Sequence, residues 1–172
     1  MILVGIGSNV AFRGYSTPRD TAAAALMALP TIAVKIAAAS SWYESEPVPA
    51  SDQPWFANAV AAVETTLGPE ALLAALLALE TRFGRVRGER NATRTLDLDL
   101  LGYHEIICDT DALVLPHPRL HERRFVLAPL CEIAPTWRHP RLGLTAASLL
   151  ARLPPGQPVR HHPATAAEPS AI

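Results

Sequence analysis

Cysteine is scarce in this chain: Cys108 and Cys131 are the only two thiols in 172 residues. Isolated from each other, they exclude a disulfide framework and a zinc cluster. Two free thiols in a reducing cytoplasm are expected. Lysine is scarcer still, with Lys35 alone among 15 basic side chains; the arginine bias by itself carries no functional weight. Charge of either sign is modest, 18% of residues with a net of -1. That argues against a general polyanion binder while leaving room for local patches, and no nucleic-acid partner is expected. No run of about 18 apolar residues exists, so no membrane span is expected. The segment 2–6 is strand-like from the start, without a charged leader or cleavage site, so no signal peptide is expected either. What is present is apolar bulk, 49% of the chain, in a length suited to one domain with a real core. No solenoid-type repeat divides it.

Residues 2–7 read as a short buried strand that ends in the turn Gly7-Ser8-Asn9. Thr17-Pro18 supplies an N-cap and a first-turn proline for an alanine-rich helix reaching Leu29. Residues 32–44 read as a strand, with Ile32, Val34 and Ile36 alternating. A proline-rich loop follows at 46–54, then a strand over 56–66 with Asn58, Val60, Ala62 and Glu64 on one face. Gly68-Pro69-Glu70 opens a helix whose Leu72, Leu76, Leu79 and Phe83 form a stripe at helical spacing, which is core. An arginine-dense loop at 84–94 leads to a strand over 95–101, a hairpin-like piece at 105–111 and helices at 122–132 and 145–153. The single domain is expected to span 1–154. The tail 155–172, rich in proline and alanine, is expected to be flexible. This order of elements predicts an α+β fold, a ferredoxin-like α/β sandwich with a mostly antiparallel sheet.

The most informative stretch is Arg94-Thr95-Leu96-Asp97-Leu98-Asp99-Leu100-Leu101. On a strand the leucines at 96, 98 and 100 point one way, and Asp97 and Asp99 the other. Two such aspartates lie roughly 6.5–7 Å apart at the backbone. Their carboxylates can converge on one or two hard cations, and magnesium combines such ligands with substrate phosphates. A solvated strand face gives the same alternation, so the neighbourhood decides. Immediately before it, Arg82, Arg85, Arg87, Arg90 and Arg94 crowd one loop. Guanidinium forks suit phosphate oxygens, and Gly84 and Gly88 allow a lid to bend. A nucleic-acid patch would interleave aromatics, and the loop has none beyond Phe83. Paired carboxylates beside an arginine lid read as a metal and polyphosphate site.

Further on, His117 and His121 stand four apart, but Pro118 makes a helix covering both unfavourable, and no third soft ligand is near. A cationic or hydrogen-bonding role beside phosphate is more economical for His117 and Arg123. Gly5-Ile6-Gly7 lacks the third glycine and ribose-binding acid of a dinucleotide fold. Asn91-Ala92-Thr93 is formally a glycosylation sequon in a chain without other signs of secretion.

The strings GIGSN at 5–9, DQPWFANAV at 52–60, FGRVRGER at 83–90, RTLDLDLL at 94–101 and LPHPRLHERRFVLAPLCEIAP at 115–135 occur in one order. Together they resemble the 6-hydroxymethyl-7,8-dihydropterin pyrophosphokinases, in register from about residue 2 to 153. The resemblance implies pyrophosphoryl transfer from ATP to the pterin hydroxymethyl group in folate biosynthesis, by a monomer using two Mg2+ ions. It implies that Asp97 and Asp99 hold the ions, that Arg85 and Arg94 approach the phosphates, and that Arg87 and Arg90 belong to the same lid. It places Glu80, His117 and Arg123 near the nucleotide. For the pterin it implies a sandwich between Phe56 and Phe125, an edge read by Asn58, and a closing loop containing Ser45 and Val48. Two features depart from the family pattern. Asn91-Ala92-Thr93 replaces a tryptophan and Gly-Pro often found in the lid, and Glu46 takes a position that is proline in some relatives. Two other classes fit parts of the pattern: a metal-dependent nucleotide hydrolase using Asp97 and Asp99, and a non-enzymatic ferredoxin-like module with a basic loop.

Overall fold

A computed structural model describes residues 1–85 and 93–162. The elements follow one another as β1 (Ile2–Ser8), α1 (Pro18–Ala28), β2 (Lys35–Ala39), β3 (Trp42–Ser45), β4 (Phe56–Glu64), α2 (Pro69–Arg82), β5 (Asp97–Tyr103), β6 (Cys108–Asp109), β7 (Val114–Leu115), α3 (Arg124–Ile133), α4 (Ala146–Arg152) and β8 (Val159–His162). The main sheet runs β5-β1-β4-β3-β8, with β2 also on β4. Every pairing in it is antiparallel. The first half of the chain is thus a βαββαβ unit with its first and last strands side by side, the ferredoxin-like arrangement.

Local chemistry accounts for the helix starts. The Thr17 hydroxyl accepts from Asp20 N at 3.1 Å, while Asp20 Oδ2 accepts from Thr17 N at 2.9 Å, a reciprocal cap. Pro69 begins α2 where its missing N–H costs nothing. The expected strand over 32–44 divides. Leu29–Ile32 closes a short 3-10 turn, and β2 and β3 lie end to end along the same edge of β4. The break falls at Ser40, whose hydroxyl accepts from Val60 N at 3.0 Å while its own N–H donates to Val60 O at 2.9 Å. A side chain that stands in for a ladder group is invisible to a hydrophobic-alternation argument.

The sheet is covered on both faces. Toward α1 and α2 it presents Val4, Ile6, Ala61, Val63, Leu98 and Leu100, packed with Leu72, Leu76 and Leu79. Toward α3 and α4 it presents Leu3, Val60, Ala62 and Leu101, packed with Leu127, Leu130 and Leu149. Each fully buried leucine is worth about 1.5–3 kcal/mol of transfer free energy. Past residue 154 the sheet gains one more strand. Val159–His162 is a strand on the outer edge of β3, because backbone pairing asks no hydrophobic period of a short edge strand.

Candidate active site

β5 runs beside β1 in the register Gly7↔Asp97 and Gly5↔Asp99. Asp97 and Asp99 therefore stand over a strip of β1 with no side chains. A Cβ on Gly7 would lie 3.5 Å from Asn58 Oδ1 and 3.8 Å from Asp97 Cβ, and one on Gly5 3.3 Å from Leu101 Cδ1. The two glycines form the floor of a cleft that also takes in Ser45, Val48, Phe56, Asn58, Arg94, Asp97, Asp99, Arg123 and Phe125. Their alternate spacing on a strand was the signal that could have identified this role.

One end of the cleft is charged. Asp97 is held by the guanidinium groups of Arg85 and Arg94, and Arg123 Nη1 lies 3.6 Å from Asp99 Oδ2. Burial and the charge of Asp97 push the Asp99 carboxyl up to about 6. Behind the strand Glu80, 3% exposed, accepts from Leu98 N at 2.7 Å and Arg85 Nη1 at 3.2 Å. Burial pushes Glu80 up to about 7, against the lowering effect of Leu98 N–H and Arg85. Glu80 is absent from the cleft lining. It buttresses the aspartate strand and orients Arg85. His117 is half-buried; burial, then Arg123 and Arg119, bring its ring down to about 4. Its Nδ1 accepts from Arg119 N at 3.2 Å, so Nε2 carries the proton. In the ligand-free protein the ring is therefore a neutral hydrogen-bond donor, and it is absent from the cleft lining. Arg87 and Arg90 lie outside the described residues.

The other end carries aromatic side chains beside a buried amide. Phe56 opens β4 and Phe125 lies in the first turn of α3; both line the cleft. The Arg123 guanidinium lies 5.4 Å from the Phe125 ring centroid, which joins the two ends. Asn58, 5% exposed, donates from Nδ2 to Ser45 Oγ at 3.0 Å, Phe56 O at 3.2 Å and Tyr43 O at 3.4 Å. Its orientation is therefore fixed before any ligand arrives. Sequence reasoning missed Asn9, which is 1% exposed. Asn9 Nδ2 donates to Gln53 Oε1 at 3.2 Å and Pro54 O at 3.3 Å, and Oδ1 accepts from Arg94 N at 2.7 Å. One side chain thereby ties the apolar end's loop to an arginine of the charged end. Its only sequence signal was its place in the turn after β1.

The fold is an α/β sandwich, and its cleft joins an acidic pair ringed by arginines to an end lined by two phenylalanines. A family model described as 7,8-dihydro-6-hydroxymethylpterin-pyrophosphokinase (HPPK) matches residues 3–135. A Pseudomonas aeruginosa protein named 2-amino-4-hydroxy-6-hydroxymethyldihydropteridine pyrophosphokinase is 42% identical over 154 residues, 89% of this chain and 91% of its own. A Synechocystis protein of the same name is 38% identical over 149 residues, 86% of this chain and 73% of its own. Among solved structures, wild-type Plasmodium falciparum HPPK-DHPS superposes with a TM-score of 0.67 at 13% identity, over 87% of this chain. This chain spans 42% of that one, and the likeness speaks for the fold. The chain belongs to the 7,8-dihydro-6-hydroxymethylpterin-pyrophosphokinase family.

Proposed function

We propose that the cleft transfers pyrophosphate from ATP to 6-hydroxymethyl-7,8-dihydropterin, giving the pterin diphosphate and AMP, with magnesium as the metal. The supporting observation is the joining, in one cleft, of an acidic pair ringed by arginines to an oriented amide flanked by two phenylalanines. A hydrolase has a use for the first group and none for the second. Asp97 and Asp99 suit Mg2+: they are hard oxygen donors on one strand face, and their mutual repulsion would be relieved by a dication. Among the described residues no cluster of three or more acidic, histidine or cysteine side chains completes a metal site, so phosphate oxygens and water would supply the remaining ligands. Bound there, two such ions would neutralise phosphate charge and acidify the attacking hydroxyl.

The residues do the rest by position. Phe56 and Phe125 supply stacking area for the flat heterocycle, and Asn58 fixes its hydrogen-bonding edge. Arg94 and Arg123 line the phosphate side, where their charge answers what develops on the bridging oxygens during in-line attack. Arg85, held by Glu80, keeps Asp97 in place. His117 Nε2–H offers a neutral donor at the same end. In this reading the enzyme works as a cytoplasmic monomer, with Arg87 and Arg90 contributing from the lid. Incubation with ATP, magnesium and the dihydropterin tests it: pterin-dependent AMP is expected. Release of ADP or orthophosphate instead would replace the transferase by a kinase or hydrolase on the same acidic pair.

A further inference from the structure

β8 lies beyond residue 135, where the family match ends, and the proposed reaction gives it no role. It joins β3 in the register Ser45↔Val159, Glu44↔Arg160, Tyr43↔His161 and Trp42↔His162. The other edge of β3 pairs with Phe56, Ala57 and Asn58. Ser45, which holds the Asn58 amide, therefore has Phe56 on one side and Val159 on the other. Between β3 and β4 runs the loop that supplies Glu46, Pro47, Val48, Pro49, Ser51 and Gln53 to the cleft. β8 meets this loop at its outgoing end through the strand pairing. It also meets the returning end, because the Arg160 guanidinium sits 4.3 Å from the ring centroid of Trp55, the residue before Phe56. The Tyr43 and His161 rings pack at a tilt, with centroids 5.0 Å apart. β3 is further fastened to α3 by Glu132, which accepts from Ser41 N and Oγ at 2.9 Å and from Tyr43 Oη at 3.0 Å.

Covering a sheet edge needs only backbone pairing. A side chain that reaches across β3 onto the far leg of a binding loop does something more. We propose that β8 is a brace that preorganises the β3–β4 loop for the pterin, with Arg160 as a positioning residue acting through Trp55. This rests on the reading of that loop as the pterin side of the cleft. A loop held in its bound shape loses less conformational entropy when ligand arrives. Loosening the brace therefore weakens pterin binding and leaves the ATP side and the chemistry untouched.

The test uses the full chain with Arg160→Ala, Trp55→Leu, the double variant and Arg160→Lys. An exposed cation–π contact corresponds to a rise of about two- to fivefold in the pterin KM for each single variant. The double variant should be no worse than either single one. Arg160→Lys should recover most of the loss, with the ATP KM and kcat unchanged throughout. A chain ending at Pro158 should show a larger pterin effect. Faster amide exchange across 46–55 in Arg160→Ala is the readout independent of activity. An unchanged pterin KM, an equal rise for both substrates, additive single effects or unaltered exchange would each overturn the brace. A lower melting temperature with an intact pterin KM would reduce β8 to an edge cover. Wild-type protein without pterin-dependent AMP would sink the proposed reaction; the exchange result would still decide the brace.

Discussion

Asn58 has an amide nitrogen and a carbonyl oxygen, and the fold commits the nitrogen to three acceptors on β3 and β4. The oxygen faces the Gly7 floor, so the donor a ligand must present there is set in advance. Asp97 is equally fixed, between Arg85 and Arg94. Asp97→Asn keeps its shape and removes its charge. Turnover should fall by roughly a hundred- to a thousandfold, with an unaltered circular dichroism spectrum. Near-normal turnover would take the acidic pair out of the mechanism. His117 gives a second expectation: with its ring brought down to about 4, its proton NMR signals should stay constant from pH 8 to roughly pH 5. A titration near the ordinary histidine value would favour the cationic role. At this scale the acidic pair was legible because alternation on a strand is a local rule. Asn9 was not, and Glu80 came only through the family resemblance, because their partners lie far along the chain: Gln53 and Arg94 for one, Leu98 for the other.

Among the elements, those with a helical period or a cap came out of the sequence with nearly the right bounds. α1 and α2 are examples, since proline and a leucine stripe are local signals. β2, β3 and β8 did not, because their pairing depends on β4 and on each other. The α1 cap gives a calibrated expectation: Thr17→Ala should cost about 0.5–2 kcal/mol in urea unfolding, with the pterin and ATP KM values unmoved. Gly84, just past the end of α2, is a harsher case. It adopts φ +73°, and a Cβ there would fall 2.3 Å from the Phe12 ring. Phe12 also packs at a tilt against Phe83, with ring centroids 6.1 Å apart, so it has little room to retreat. Gly84→Ala combines left-handed backbone strain with a steric collision and should cost about 1–3 kcal/mol or more. A melting temperature equal to wild type would show that the Phe12 loop moves freely.

For the molecule as a whole, the sheet separates two buried half-cores, and the charged end of the cleft is supported through it from behind. Glu80 stands on the α2 side and holds the backbone of the strand whose other face carries Asp97 and Asp99. That support costs stability with a definite pH dependence. A buried carboxyl pushed up from 4.5 to about 7 binds its proton more tightly folded than unfolded. Stability is therefore lost as pH rises from 4.5 to 7 and is flat on either side of that window. His117 acts in the opposite sense. Its ring, lowered from 6.5 to about 4, binds a proton more readily unfolded, so stability rises with pH across that interval. The two oppose each other below 6.5, and Glu80 alone remains as the pH approaches 7. Glu80→Gln separates them, because glutamine keeps an oxygen for Leu98 N–H and has no proton to lose. Relative to wild type, the variant should gain on the order of 1–3 kcal/mol between pH 5 and pH 8 in urea unfolding. Glu80→Ala should instead be destabilised at both pH values, by about 1–3 kcal/mol, since a buried N–H loses its acceptor. Parallel pH profiles for wild type and Glu80→Gln would mean that Glu80 is ionised throughout. The Arg85 contact would then outweigh burial, and the charged end would be an ion-pair network on both faces of the sheet.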